Sequence, residues 1–231
     1  MMNIVQDSIK KLYAGTEEQR SVEFKRGLVW EYPSPKSLEL IKVVISMFNT
    51  PSGGDIILGI SQKRNDSKLL YTGLKTDEKK SLIKNEEIIK DTINGYTTIK
   101  INPTFTLIED THFESQKDFL VIKVPHYEEY PCLVRKDGKY KINKKDGTLK
   151  ENFKFYKSDL LTRSMYPKFS SRKVEQEELN EMIELCAKGV RTRSRNILNI
   201  KAEEKVKTNT HKKMLDKFKE ERSKIYGNLP A

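Results

Sequence analysis

The chain has 231 residues, 36% of them hydrophobic and 33% charged, and carries a net charge of +11. That allows one large domain, or one domain with an appendage, with a modest core beneath a heavily charged surface. No apolar run approaches the roughly 18 residues that a membrane-spanning helix needs, and the opening MMNIVQDSIKKLYAG lacks a signal-peptide core. Cys132 and Cys186 lie too far apart to build a zinc site unaided, and His112, His126 and His211 are isolated from one another and from cysteine. The expectation is a soluble, reduced, cytoplasmic protein with no membrane partner. Its charge favours an acidic ligand, most commonly nucleic acid, because Lys and Arg release counterions from phosphates.

In chain order, Ile4, Val5, Ile9 and Leu12 stand at helical spacing and predict a short amphipathic helix over 3–13. SVEFKR predicts a strand, with Val22 and Phe24 on one face and Glu23 and Lys25 together on the other. YPSPKS is a loop, and Ser37 is the expected N-cap of a buried helix over 38–48. Gly53 and Gly54 then permit a tight return into DIILGI, whose unbroken apolar character predicts a central strand buried on both faces. Residues 77–94 read as one helix, IKINPTFTLIED and KDFLVIKVP as strands.

PCLVRKDGKYKIN is expected to be a hairpin turning at Asp137-Gly138, with a second turn signal at Asp146-Gly147. YKSDLLTRS reads as a short helix and MYPKFSSRK as a boundary. Two charged helical stretches follow, over 173–188 and roughly 200–226, the second with an amphipathic pattern that suits docking on the core or on a partner subunit. The outcome is an α+β core over 1–165 and a helical C-terminal extension over 166–231.

The sharpest charge signal is RKDGKYKINKKDGTLK at 135–150, with seven Lys/Arg against two Asp. Arg135, Lys136, Lys139, Lys141, Lys144 and Lys145 could follow a phosphate backbone while Tyr140 stacks on a base. A solvated edge hairpin guarded by lysines would carry the same residues. KGVRTRSRN at 188–196 either contacts nucleic acid or joins two helices as a wet linker.

Taken together, SVEFKRG, the buried helix, FNTPSGGDIILGI and the later YTGL resemble the Schlafen core and its microbial AlbA-type relatives, once grouped as a divergent AAA family. The resemblance spans about 16–165 and is sharpest over 21–60. It implies a Schlafen-core-like lobe with a mixed sheet and flanking helices that binds DNA or structured RNA, with Lys25 and Arg26 beside the basic hairpin residues. A homodimer would supply a second lobe. Its RNA-cleaving members use two glutamates five residues apart plus an aspartate after the glycine strand, holding Mg²⁺ or Mn²⁺. Glu18 and Glu23 match the first two positions, with Lys25 assisting, but Gln62 stands where the aspartate is expected.

Asp55 and Asp66 are the nearby acids that could compensate for Gln62. The turn itself carries an extra residue, Pro51-Ser52, before its glycines, and no Gly-Lys-Ser/Thr follows them, so a P-loop is excluded. Asn49, Gly53 and Gly54 are expected to shape that turn rather than do chemistry. Where arginine is common in the family, Asn143 and Lys144 stand here, which retains phosphate contact but not bidentate recognition. Three functions remain open: nucleic-acid binding without cleavage, metal-dependent endoribonuclease activity on a tRNA- or rRNA-type substrate, and a scaffold working through the helical tail.

Overall fold

The computed structural model describes residues 20–62, 69–109, 117–143, 149–164, 171–195 and 197. The expected helices at 3–13 and 200–226 lie outside these residues. The chain divides into two compact units, Met1–Leu185 and Cys186–Ala231. In the second, residues 186–195 are helical, so the basic residues Lys188, Arg191, Arg193 and Arg195 lie on helix rather than in a linker.

The first unit has an α+β fold. Its central sheet contains β1 (Val22–Lys25), β2 (Gly54–Leu58), β5 (Thr104–Glu109) and β6 (Asp118–Val124), in the order β1-β2-β6-β5. β1 runs parallel to β2, while β2–β6 and β6–β5 are antiparallel. Neighbouring parallel strands require a crossover, and α1 (Pro35–Phe48) supplies it. α1 is capped by Ser34, not Ser37: the Ser34 side chain accepts from Ser37 N–H at 3.1 Å, and Ser37 Oγ returns a bond to the Ser34 backbone N–H at 2.9 Å. Proline opens the helix because its fixed φ suits the first turn and its missing N–H would have had no helical partner.

Leu38, Leu40, Ile41, Val44 and Ile45 on α1 are all buried. Each contributes roughly 1.5–3 kcal/mol by leaving water. The helix packs on the sheet face that carries Ile56 and Leu58. The other face holds a cluster of Phe24, Ile57, Ile60, Phe119 and Val121. β2 is therefore central and covered on both sides, as its apolar sequence predicts.

DIILGI is not one strand. Gly59, at φ +105°, turns the chain out of β2 into β3 (Ile60–Gln62), which pairs antiparallel with β4 (Leu69–Tyr71). The Gly59 carbonyl accepts from Thr72 N–H, Gly73 N–H and the Thr72 hydroxyl at 2.9–3.0 Å, which holds that corner closed. Periodicity across 77–94 conceals a second break. α2 (Thr76–Lys84) ends at Asn85, which starts α3 (Glu86–Gly95). The Asn85 amide donates to Ser81 O at 2.8 Å, competing with the helical ladder at that point.

The basic hairpin also differs in register. Gly138 begins β7 (Gly138–Asn143) instead of turning it, and β7 pairs with β8 (Leu149–Phe155). The connection falls at 144–148, outside the described residues, as do Lys144, Lys145 and the Asp146-Gly147 signal. Leu133 and Val134, expected in the first arm, make single bridges to Leu160 and Thr97. YKSDLLTRS is not a helix, and its residues Leu161–Arg163 form a strand. β9 (Leu161–Arg163) pairs antiparallel with β10 (Ser171–Lys173), because packing against α1 outweighs the local helical pattern. Residues 176–185 form the last helical stretch of this unit, with Met182 and Glu178 buried.

Candidate nucleic-acid interface

Alternation along β1 directs Glu23 and Lys25 to the face shared with their partners Ile56 and Leu58, towards α1. Glu23 is 5% exposed, so it is not on a wet edge. A buried carboxylate must be paired. Its Oε2 accepts from Arg163 Nη1, and its Oε1 receives Lys25 Nζ at 2.6 Å. Arg163 is itself fully buried. Its Nη2 donates to Val22 O at 3.3 Å and its Nε to Arg20 O at 3.4 Å, while Arg20 Nε donates back to Arg163 O at 3.2 Å. The sequence reading missed Arg163. Its only signal is one arginine following Leu160-Leu161 in DLLTRS.

The divalent cation implied by the resemblance does not fit this arrangement. Both Glu23 oxygens are engaged by cations, and a metal ion would have to displace them. Glu18 and Asp66 lie outside the described residues. Asp55 pairs with Val22 and Lys123 and so points to the sheet face opposite Glu23, which removes it as a compensating ligand. Burial raises the Asp55 pKa despite the counteracting charge of Lys123. Among the described residues no group of three His, Cys, Asp or Glu side chains is placed to hold a metal. No step is derived through one.

From Lys25 the charges alternate outward. Lys25 Nζ lies 3.8 Å from Glu39 on α1, and Glu39 lies 3.2 Å from Lys154 on β8. The β7–β8 register jumps from Gly138↔Phe155 to Lys139↔Phe153, which skips Lys154 in the ladder. Burial works to raise the Glu39 pKa, but Lys25 and Lys154 prevail and hold it below its ordinary value. Around this chain lies a cavity of about 260 Å³, lined by Lys25, Arg26, Lys36 and Lys154 with Glu39 as the one acid. Arg26 and Lys36 are exposed at its rim.

A second cavity, of about 480 Å³, opens where Tyr32 and Tyr96 face the β7–β8 hairpin. Lys136, Lys139, Tyr140 and Lys141 line it, with Asp137 and Glu151. Lys139 and Lys141 alternate onto one face of β7, and Lys139 reaches Glu151 at 3.4 Å. Asp137 is engaged by the Lys157 N–H at 2.7 Å. The Tyr32 and Tyr96 hydroxyls share a hydrogen bond of 2.7 Å, and the Lys136 ammonium sits 4.3 Å from the Tyr96 ring centroid. Burial, followed by the bond to Tyr32, raises the Tyr96 pKa and keeps the phenol protonated. Arg135 is exposed beside this cavity, with its backbone N–H bonded to Tyr96 O at 2.7 Å.

Tyr32 opens the loop YPSPKS, and its ring stacks on that of Trp30, just ahead of the loop, at 6.4 Å. A pair of aromatics ahead of SPKS was the available signal. Asn49 lies at the end of α1 and is fully buried. It closes α1, and its buried side chain donates to Cys132 O and Leu161 O at 2.8 Å and accepts from Cys132 N–H at 2.7 Å. Gly53 has φ +65°, and a side chain there would strike the Val124 carbonyl. Gly54 follows directly as the first residue of β2.

The family model described as Schlafen, AlbA_2 matches residues 18–154. No curated protein matches the chain. Among solved structures, the DIP2311 protein from Corynebacterium diphtheriae is similar at 18% identity and a TM-score of 0.38, over 71% of this chain and 23% of that one. The chain thus spans less than a quarter of that protein's length. The family match takes in β1, α1, the central sheet and both cavities as far as Lys154, more than half of the sequence. The chain therefore belongs to the Schlafen, AlbA_2 family.

Proposed function

We propose that this chain is a nucleic-acid-binding protein that grips DNA or structured RNA through the two lysine-lined cavities. The observation that carries the proposal is the grouping of seven cations, Lys25, Arg26, Lys36 and Lys154 in one cavity and Lys136, Lys139 and Lys141 in the other. Of the acids among them, Glu39 pairs with Lys25 and Lys154 and Glu151 with Lys139, while Asp137 accepts a backbone N–H, so the seven cations stand against three acids. The excess positive charge suits phosphate oxygens, which fix orientation without reading sequence. Family membership supports the same reading, and so does the net charge of +11. No observation favours cleavage: Glu23 is committed to Arg163 and Lys25.

The test is a native-gel and anisotropy titration with labelled tRNA, single-stranded RNA and duplex DNA, over a range of salt, with Mg²⁺, with Mn²⁺ and with EDTA. Binding that weakens steeply with salt and leaves the nucleic acid intact is expected. Failure to bind any of them at low salt would overturn the proposal. Metal-dependent products would replace it with the nuclease reading.

A further inference from the structure

Phosphate contact does not account for the aromatic wall of the second cavity. Tyr32 is 44% exposed, although its ring stacks on Trp30 with only 12° between the planes. Its hydroxyl is tied to Tyr96, and Tyr96 is held from three directions. It is buried, it meets Phe155 edge-on at 5.4 Å, and it carries the Lys136 ammonium over its face. Tyr32 is thus an exposed aromatic surface whose orientation is set before any ligand arrives. That lowers the ordering cost of anything that stacks on it.

Resting on the nucleic-acid reading above, we propose that Tyr32 is a stacking platform for one unpaired base, with Lys136, Lys139 and Lys141 contacting the flanking phosphates. The site therefore selects single-stranded or looped nucleic acid over uniform duplex. In a duplex each base is already stacked on both faces and cannot reach the ring, whereas an unpaired base offers a free π-face. The cavity volume of about 480 Å³ lies in the range of sites that enclose one small organic group. Every base has a π-face, so the preference is for unpaired structure and not for sequence.

The chain's single tryptophan is Trp30, stacked against Tyr32, and so provides the probe. The full chain is titrated with an end-labelled oligothymidylate, an abasic oligomer of equal length and a duplex, reading both anisotropy and Trp30 fluorescence. The oligothymidylate is expected to bind about 10-fold more tightly than the abasic strand, the size of one stacking contact, and to quench Trp30. Tyr32→Ala should abolish that preference, and Tyr32→Phe, which keeps the ring but not the hydroxyl, should retain most of it. Circular dichroism checks that each variant is folded. If Tyr32→Ala does not fold, the abasic comparison on the unaltered chain still decides.

Equal affinity for the normal and abasic strands, or binding without any change in Trp30, would overturn the platform and leave the phosphate-binding reading standing. Absence of binding by all three at low salt would overturn both.

Discussion

Glu23 and Arg163, 140 residues apart in sequence, meet in the interior as an ion pair that joins the edge strand of the central sheet to the separate β9–β10 hairpin. Removing one partner leaves the other buried and unmatched. Such losses cost about 3–5 kcal/mol. Arg163→Met and Glu23→Gln should each lower the urea midpoint accordingly, followed by circular dichroism. The double variant Glu23→Leu/Arg163→Met should recover a large part of the loss. A Glu23 variant that fails to act on RNA is therefore informative about chemistry only when its stability has been measured beside it.

Asn49 makes a comparable joint with neutral groups. Its side chain satisfies the Cys132 carbonyl, the Cys132 N–H and the Leu161 carbonyl, all in the interior. Asn49→Ala leaves these without partners and should cost about 3 kcal/mol, since each orphaned buried group costs about 1–3 kcal/mol and partial relaxation offsets some of it. Equilibrium unfolding in urea measures it. A loss below about 1 kcal/mol would mean that water or a shift of β9 replaces the amide.

The pH response should carry the mark of Glu39. Its pKa is lowered in the folded protein because Lys25 and Lys154 outweigh its burial. A depressed carboxylate contributes stability that is fully present above its unfolded pKa, near the ordinary 4.5, and is lost as pH falls through the folded value. Glu39→Gln should therefore flatten the acid limb of the stability profile below about pH 4.5 relative to the unaltered chain. Thermal melts across that interval test this. An acid limb unchanged by the substitution would assign it to other carboxylates.

Salt dependence should count the lysines of β7. Each phosphate neutralised adds about 0.9 to the slope of log affinity against log salt on duplex DNA, and about 0.7 on single strands. Lys139→Ala and Lys141→Ala should each reduce the slope by about that amount and weaken binding to all sequences equally. Unequal effects on different sequences would mean base contact by these lysines.

Much of the fold was legible because local pattern and tertiary role agree. α1, the central position of β2 and the β5–β6 strands follow from apolar periodicity, and the Gly53 turn follows from backbone geometry. Reading failed where one residue interrupts a continuous pattern. Gly59 breaks DIILGI into two strands, and Asn85 breaks 77–94 into two helices, though neither alters the apolar spacing around it. Asp137-Gly138 resembles a hairpin turn locally, but Gly138 packs directly under the Phe155 ring, where a side chain would collide.

The candidate site divides in the same way. Net charge, the lysines of 135–150, the Glu23–Lys25 pair on one pleat face and the family itself can all be read along the chain, since each depends on residue type and near-neighbour spacing. Arg163 beneath Glu23, Asp55 on the opposite sheet face, Lys154 beside Glu39 and Tyr32 opposite Lys136–Lys141 could not be read that way. These are meetings of residues far apart in the chain. Burial decides them, because a charge or aromatic ring displaced from water must find its partner wherever the packed elements bring one.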